Sequence, residues 1–143
     1  MKKIAIFFII VLIIITSMFY IYSNYKMNIR KAEKENFEFE MYVDEEIEGL
    51  DLATIINKAI NLNEKNGVQK AKDGKYIENE TNSINIDIKF IDTDVIYNIE
   101  KIYDFGIDEF LSNYRTIHFK CIDIQYHKKT GKIKYMQFEQ LKE

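Results

Sequence analysis

The feature that most constrains this chain is an unbroken apolar run close to its amino terminus. Residues 4–22 (IAIFFIIVLIIITSMFYIY) contain no charged residue, proline or glycine. As an α-helix the run is about 28 Å long, close to the roughly 30 Å hydrocarbon core of a bilayer. Its eight Ile, three Phe, one Val and one Leu favour insertion by about 4 to 8 kcal/mol at helix-centre values. The run therefore predicts a single transmembrane helix that contacts the lipid bilayer from Ile4 to Tyr22.

The residues around the run favour a signal anchor that is retained. Lys2 and Lys3 give the basic start that a secretory signal also has. The run exceeds the roughly 7 to 15 apolar residues of a cleaved signal, and no Ala-x-Ala site follows it. The best cleavage position, after Ser23, places Ile21 where a small residue is required. We expect a signal anchor over residues 1–23, with a cleaved signal peptide as the alternative.

Basic residues lie on both sides of the run and bear on its orientation. Lys2 and Lys3 precede it, and four cationic residues follow it: Lys26, Arg30, Lys31 and Lys34. Because Lys and Arg prefer the cytoplasmic side, this count favours a cytoplasmic domain. A signal anchor with a short basic tail normally places its domain outside instead. We predict a single-pass cell-membrane protein with an extracytoplasmic domain, against the charge count.

Composition limits the classes of function open to the rest of the chain. Residues 24–143 hold all 23 acidic residues and 18 of the 20 basic ones, a net charge of −5. A nucleic-acid-binding domain needs a basic face, so that class of partner is disfavoured. Cys121 is the only cysteine, which excludes an internal disulfide and a thiolate zinc site. The 18 Lys against 2 Arg, with abundant Ile, Asn and Tyr, indicate an AT-rich genome.

Two amphipathic helices are predicted after a polar, helical stalk over residues 24–36. Apolar residues recur at helical spacing over residues 52–66. This stripe consists of Leu52, Ile55, Ile56, Ala59 and Leu62. Asp51 is the expected amino-terminal cap of this helix, and Gly67 its left-handed end. A shorter amphipathic helix is predicted over residues 107–114.

Strands are predicted where apolar and polar residues alternate. Residues 37–43 alternate in this way, and so do residues 83–91, which place Ile84, Ile86, Ile88 and Phe90 on one face. The segment after Val95 fits a strand and a helix equally well, and we expect a strand. Residues 37–143 are therefore predicted to form a small α+β domain, with a mostly antiparallel sheet of four or five strands packed with two helices.

A hairpin is predicted at the carboxyl end, around a turn over residues 127–131. The register that best pairs like with like places Phe119 opposite Phe138, Cys121 opposite Met136, and Ile124 opposite Ile133. In that register the buried face changes sides midway along the hairpin. The hairpin is therefore expected to be bulged or strongly twisted.

The same hairpin carries both histidines, His118 and His127, with Cys121 and Asp123 between them. On a regular strand Cys121, Asp123 and His127 share a face, a pattern that nucleophile pairs and metal sites use. Their spacing matches no known ligand motif. We interpret Cys121 as a small core residue and His127 as a turn residue.

Two acidic clusters and a set of tyrosines are the remaining candidates. The clusters are Asp44, Glu45, Glu46 and Glu48, and Asp92 with Asp94. Neither has the spacing of a calcium loop, and glycosidase chemistry needs two acids across a cleft. The tyrosines that could build a ligand-binding face are Tyr76, Tyr97, Tyr103, Tyr114, Tyr126 and Tyr135. We predict no catalytic, cofactor-binding or metal-binding residue and no cofactor.

Three features carry a resemblance to other proteins: the Lys-Lys start, the Ile-rich span, and two segments of the domain. The segments are ATIINKAINLNEKNG at 53–67 and FKCIDIQYHKKTGKIKY at 119–135. In these features the chain resembles small uncharacterised membrane-anchored proteins of low-GC Gram-positive bacteria. The resemblance implies no known activity.

These observations favour a membrane-anchored, non-catalytic domain that binds another protein or an envelope component, with an envelope or membrane protein as the expected partner. One alternative is a sensory or regulatory domain for a small ligand, which requires an enclosed, aromatic-lined pocket. The other is an envelope enzyme that works through its acidic residues.

Overall fold

The computed structural model describes residues 2–91 and 95–142, which fold as the predicted α+β protein. The helices are α1 (Lys2–Glu40), α2 (Gly49–Lys65), α3 (Ile99–Phe105) and α4 (Ile107–Tyr114). The strands are β1 (Glu46–Glu48), β2 (Asn85–Lys89), β3 (Ile96–Asn98), β4 (His118–Tyr126) and β5 (Ile133–Gln140).

The five strands form one mixed sheet in the order β1-β4-β5-β2-β3. β2 and β5 are parallel and the other neighbouring pairs are antiparallel, so the mostly antiparallel sheet is confirmed. Helices α2, α3 and α4 pack on the face that carries buried residues such as Ile86, Ile88, Met136 and Phe138. The opposite face is polar, and there the hydroxyl of Tyr135 donates to Asp87 over 3.1 Å.

Helix α1 has two parts with different surroundings. Its first part contains the apolar run, whose large side chains are exposed. By length and composition the helix can cross a membrane, a property that signal sequences share. Further along, Ala32, Asn36 and Phe39 are buried against the domain. One unbroken helix therefore connects the apolar run to the domain core.

The predicted strand over residues 37–43 is wrong, because α1 continues to Glu40 and a turn follows. Ala32, Asn36 and Phe39 are spaced four and three residues apart and share one helical face. Phe39 is 1% exposed, whereas Phe37 is 67% exposed. The short alternation competes with a longer helical stripe, and packing against the domain favours the helix.

Helix α2 begins two residues before the predicted Asp51 cap. Its amino-terminal groups are satisfied by backbone: the Gly49 N–H donates to Ile117 O over 2.9 Å and the Leu50 N–H to Arg115 O over 3.2 Å. A β-carbon on Gly49 would lie 1.9 Å from Tyr114 O, so only glycine fits there. The predicted stripe is confirmed, with Leu52, Ile55, Ile56 and Ala59 buried and Leu62 packed against the core.

The segment after Val95 divides between the two predicted alternatives. Residues 96–98 form β3, and α3 begins at Ile99, where the Asn98 side chain accepts the Lys101 N–H over 3.0 Å. Helix α3 is thus additional to the two predicted helices. The strand predicted over 83–91 is confirmed as β2, with its four predicted apolar residues buried.

The predicted register of the C-terminal hairpin is wrong. Phe119 pairs with Gln140, and Cys121 pairs with Phe138. Two irregularities, which leave Ile122 on β4 and Lys134 on β5 without a partner, shift the register along the hairpin. The predicted bulging is therefore confirmed, but the bulges keep the apolar residues on one face instead of moving the buried face across the sheet.

Candidate functional site

The candidate site is a cleft of about 390 Å³ where α3 and α4 meet the edge of the sheet. Its apolar lining comes from the end of β2, from β3 and from both helices: Phe90, Tyr97, Ile102, Phe105, Phe110 and Tyr114. Gly106 separates the two helices and adopts a φ of 101°, which side chains with a β-carbon rarely adopt. This corner brings Phe105 and Phe110 to the same cleft.

The floor of the cleft is a cluster of packed rings. Phe110 stacks on Tyr114 with centroids 5.3 Å apart, and Phe90 lies 4.7 Å from Tyr114. Phe90 also meets Tyr97 edge-to-face at 5.3 Å. Phe119, fully buried, contacts this cluster from below. Because these rings hold each other in place, the cleft is largely pre-formed.

Polar groups of both signs lie on the rim. Lys101 Nζ is 3.8 Å from the centroid of the Tyr97 ring, a cation–π contact. The Asn113 side chain donates to Glu109 O over 3.0 Å, and Gln140 Oε1 accepts the Ile91 N–H over 3.3 Å. The arrangement suits non-covalent binding of an apolar or aromatic group, with polar groups placed to fix its orientation.

The cleft lies at the end of the sheet opposite to the contact with α1. At that contact, Asn36 Nδ2 donates to Gly131 O over 2.8 Å and Asn36 Oδ1 accepts the Ile133 N–H over 2.9 Å. We name the end of the sheet that contacts α1 the junction end. Strand β5 runs from Ile133 at the junction end to Gln140 on the cleft rim, about 23 Å at strand spacing. We name that opposite end the cleft end.

His127 and His118, the sequence candidates for catalysis, lie apart. His127 is 3% exposed at the junction end, and its Nε2 lies 2.8 Å from the carbonyl oxygen of Ser83. Because that oxygen only accepts, Nε2 donates the hydrogen bond. His127 directly follows β4, and its carbonyl oxygen accepts the Gly131 N–H across the turn, so the interpretation as a turn residue is confirmed. His118 is exposed at the opposite end of β4.

Cys121 and Asp123 do not share the face that a regular strand would give them. Cys121 pairs with the core residue Phe138, whereas Asp123 pairs with Gln137 on the polar face, because Ile122 is bulged between them. Burial raises the pKa of the Cys121 thiol, which disfavours the reactive thiolate. The interpretation of Cys121 as a core residue is confirmed.

The first acidic cluster, residues 44–48, lies in an exposed turn and in β1, at the edge of the sheet. Glu46 of β1 is in register with Lys120, and Glu139 of β5 is in register with Lys89 and contacts it at 2.7 Å. Alternating charges therefore cross the polar face. Asp92 and Asp94 of the second cluster lie outside the described residues.

A catalytic pair of carboxylates and a metal-binding site were also considered from the sequence. Within residues 2–91 and 95–142, no group of three or more His, Cys, Asp or Glu side chains could hold a metal ion. Among the described residues that line the cleft, Glu109 is the one carboxylate. The described residues that line this cleft therefore do not supply the two acids that such a mechanism needs.

The six tyrosines considered from the sequence do not form one ligand-binding face. Tyr97 and Tyr114 line the cleft. The hydroxyl of Tyr126 donates to Glu40 over 2.9 Å at the junction end. Tyr76 is buried and Tyr103 is exposed on α3. The phenylalanines of the cleft were not candidates in the sequence, because their meeting depends on the corner at Gly106.

No protein-family model, curated protein or solved structure matches this chain.

Proposed function

We propose that this protein is a single-pass membrane protein whose extracytoplasmic domain binds a partner protein of the membrane or envelope without catalysis. In this proposal α1 is a retained anchor and the cleft receives an apolar side chain of the partner. The observation that carries the proposal is the continuity of α1. The same helix that has the length and composition of a membrane span ends buried in the domain, through Asn36 and Phe39.

The position of the cleft supports this role. A domain held at its junction end presents its opposite end to whatever lies away from the bilayer, and the cleft lies there. Phe105 is 71% exposed on its wall, although large apolar side chains usually pack inward. An exposed aromatic beside a pre-formed apolar cleft is typical of a protein-binding hot spot.

The orientation is tested by a reporter that is active only outside the cytoplasm, fused after Glu143, together with protease treatment of intact cells. We expect an active reporter and a protected anchor fragment. An inactive reporter with a fully protected domain would place the domain in the cytoplasm. That result would confirm the preference shown by the four cationic residues after the span.

Binding is tested by replacing Phe105 in the full chain with a photo-crosslinking phenylalanine analogue. The matched control carries the same analogue at Phe37, which is also exposed but lies on α1, away from the cleft. We expect a discrete crosslinked protein from position 105 and none of the same mass from position 37. Identical products from both positions would contradict binding at the cleft.

The volume and aromatic lining of the cleft support a second candidate function, the sensing of a small apolar ligand, although the cleft is open and not the enclosed pocket that the sequence-based alternative requires. About 390 Å³ lies within the range of small-molecule sites, roughly 300 to 1,000 Å³. The same crosslinking experiment separates the two candidates. A small ligand gives a mass increase of the chain itself, whereas a partner protein gives a larger crosslinked species.

A further inference from the structure

A second cleft, of about 400 Å³, lies between α1 and the turn that joins β4 to β5. Tyr25, Ile29 and Lys31 contribute from the helix, and Lys129, Thr130 and Lys132 from the turn and the start of β5. From this cleft we propose that the junction end binds the headgroups of anionic phospholipids in the membrane that holds α1. The proposal rests on the membrane anchoring proposed above and adds the lipid class that the domain contacts.

The height of the cleft along α1 matches the headgroup layer. Tyr25 lies three residues beyond the end of the apolar run at Tyr22, and Lys31 lies nine residues beyond it, about 4 to 14 Å at helical rise. The headgroup region extends roughly 5 to 8 Å from the hydrocarbon core. The lower part of the cleft therefore lies among the headgroups, within reach of flexible lysine side chains above them.

The segments that border the second cleft are basic, whereas the rest of the domain is acidic. Residues 26–36 and 128–132 contain seven cationic residues: Lys26, Arg30, Lys31, Lys34, Lys128, Lys129 and Lys132. Three acidic residues belong to these segments or pair with them: Glu33, Glu35 and Glu80. This set therefore carries +4, and since residues 24–143 carry −5, the remainder, which includes Glu40 beside Tyr126, carries −9. An anionic surface attracts these segments and repels the rest of the domain.

The backbone of the turn is held against α1, so the turn cannot move away from the helix independently. Asn36 fixes the backbone on both sides of Lys132 through Gly131 and Ile133. Lys132 Nζ lies 2.7 Å from Glu35, and Lys129 pairs with Glu80. Residues about 100 positions apart in sequence thus form one basic surface, which is pre-organised before it meets a lipid.

The test measures how readily the amines of individual lysines react in the full chain. The chain is reconstituted in vesicles of phosphatidylcholine alone or mixed with phosphatidylglycerol. A water-soluble acetylating reagent is applied, and each lysine is quantified by mass spectrometry. Lys72 and Lys75, in the turn around Asp73, are internal controls within the same molecule. We expect Lys128 and Lys129 to be protected in the anionic vesicles, and Lys72 and Lys75 to react equally in both.

Charge variants connect the protection to the basic surface. Lys31→Gln combined with Lys128→Gln should weaken surface association by roughly 30-fold, the factor that two surface lysines contribute, and should restore the reactivity of Lys129. Lys72→Gln combined with Lys75→Gln removes the same charge and should change nothing. Equal reactivity of Lys129 in both vesicles, or equal effects of the two variants, would overturn the proposal.

Two further experiments show which proposal is wrong if the expected protection is not observed. Inorganic phosphate at constant ionic strength should not restore the reactivity of Lys129, and restoration would assign the cleft to a soluble phosphate instead. Flotation of the chain with vesicles at high salt tests the anchoring by itself. A chain that fails to float refutes the proposed anchoring, whereas a floating chain without lipid dependence refutes only the lipid contact.

Discussion

The two ends of the domain are held together by different interactions. At the junction end, buried polar side chains bond to backbone: Asn36 to Gly131 and Ile133, and Asn63 to both backbone groups of Ile84 at 2.8 Å. At the cleft end, rings pack on rings. Hydrogen bonds are directional and fix one geometry, whereas packing among rings tolerates an open cleft. The difference suits the junction end to positioning the domain and the cleft end to the partner binding that we propose.

The largest effect on the free energy of unfolding is expected when Phe119, the fully buried ring beneath the cleft, is replaced. Phe119→Ala should lower the free energy of unfolding by about 3 to 5 kcal/mol, because it removes apolar contacts and leaves a cavity. Phe105→Ala, in the same cleft but exposed, should change stability by less than about 0.5 kcal/mol. Urea unfolding of the full chain in detergent, followed by circular dichroism, measures both. A loss for Phe119→Ala as small as the one expected for Phe105→Ala would show that the cleft end does not depend on its buried ring.

The second largest effect on stability is expected when Asn63 is replaced. Its side chain is 0% exposed and forms hydrogen bonds with both the N–H and the carbonyl oxygen of Ile84. Asn63→Ala leaves a donor and an acceptor buried without partners and should cost about 2 to 4 kcal/mol. Asn61→Ala, on the exposed side of the same helix, is the matched control and should be nearly neutral. An Asn63 variant as stable as the Asn61 variant would break the distinction between a polar end and an aromatic end.

Asn36 should give a smaller but more local effect. Asn36→Ala should cost about 1 to 3 kcal/mol, because the bond to Gly131 is only partly buried and water can replace it, whereas the bond from Ile133 is buried. Hydrogen exchange should accelerate at the Ile133 amide, which donates to Asn36, and remain unchanged at the Ile84 amide, which donates to Asn63. Asn28→Ala, exposed on α1, is the control. Equal acceleration at both amides would show that the junction is not an independent contact.

Elements whose residues are close in sequence were predictable. Helix α2 has five apolar residues at helical spacing, and residues 83–91 have four in strict alternation, so one period dominates in each segment. The prediction of a strand over residues 37–43 was wrong because the alternation there is short, and because the contacts that bury Phe39 come from distant parts of the chain. The predicted hairpin register was wrong because the pairing of like residues indicates that a bulge is needed but does not locate it at Ile122.

The two clefts were not predictable from local pattern. The aromatic cleft requires two short helices to meet at Gly106, and sequence spacing does not specify the angle between them. The junction depends on bonds between Asn36 and residues near position 131, which are 95 positions away. An asparagine in a polar stalk resembles any solvated residue until its partner is known. What the sequence did indicate was the basic character of the stalk, and the structure adds the lysines of the turn to it.

The smallest expected effect is a dependence of stability on pH, which comes from Tyr126 at the junction end. Burial, followed by the hydrogen bond to the Glu40 carboxylate and its charge, raises the pKa of Tyr126 to about 12. An unfolded tyrosine has a pKa near 10, so between about pH 10 and 12 the unfolded chain loses a proton that the folded chain keeps. The contribution of Tyr126 to stability is therefore present below pH 10 and is lost as the pH rises through this window. Because Tyr126 is 41% exposed, the loss should be small.

Absorbance of the phenolate near 295 nm, followed from neutral to alkaline pH in the full chain, measures this directly. Tyr126→Phe should remove one late-titrating group and flatten part of the loss of stability above pH 10. Glu40→Gln should lower the pKa of Tyr126 only in part, since burial is the largest cause and persists in this variant. A titration of the Tyr126→Phe variant that differs from the parent only near pH 10 would show that the Tyr126 hydroxyl does not donate to the Glu40 carboxylate in solution. The contact between the end of α1 and β4 would then be looser than the bonds of Asn36 imply.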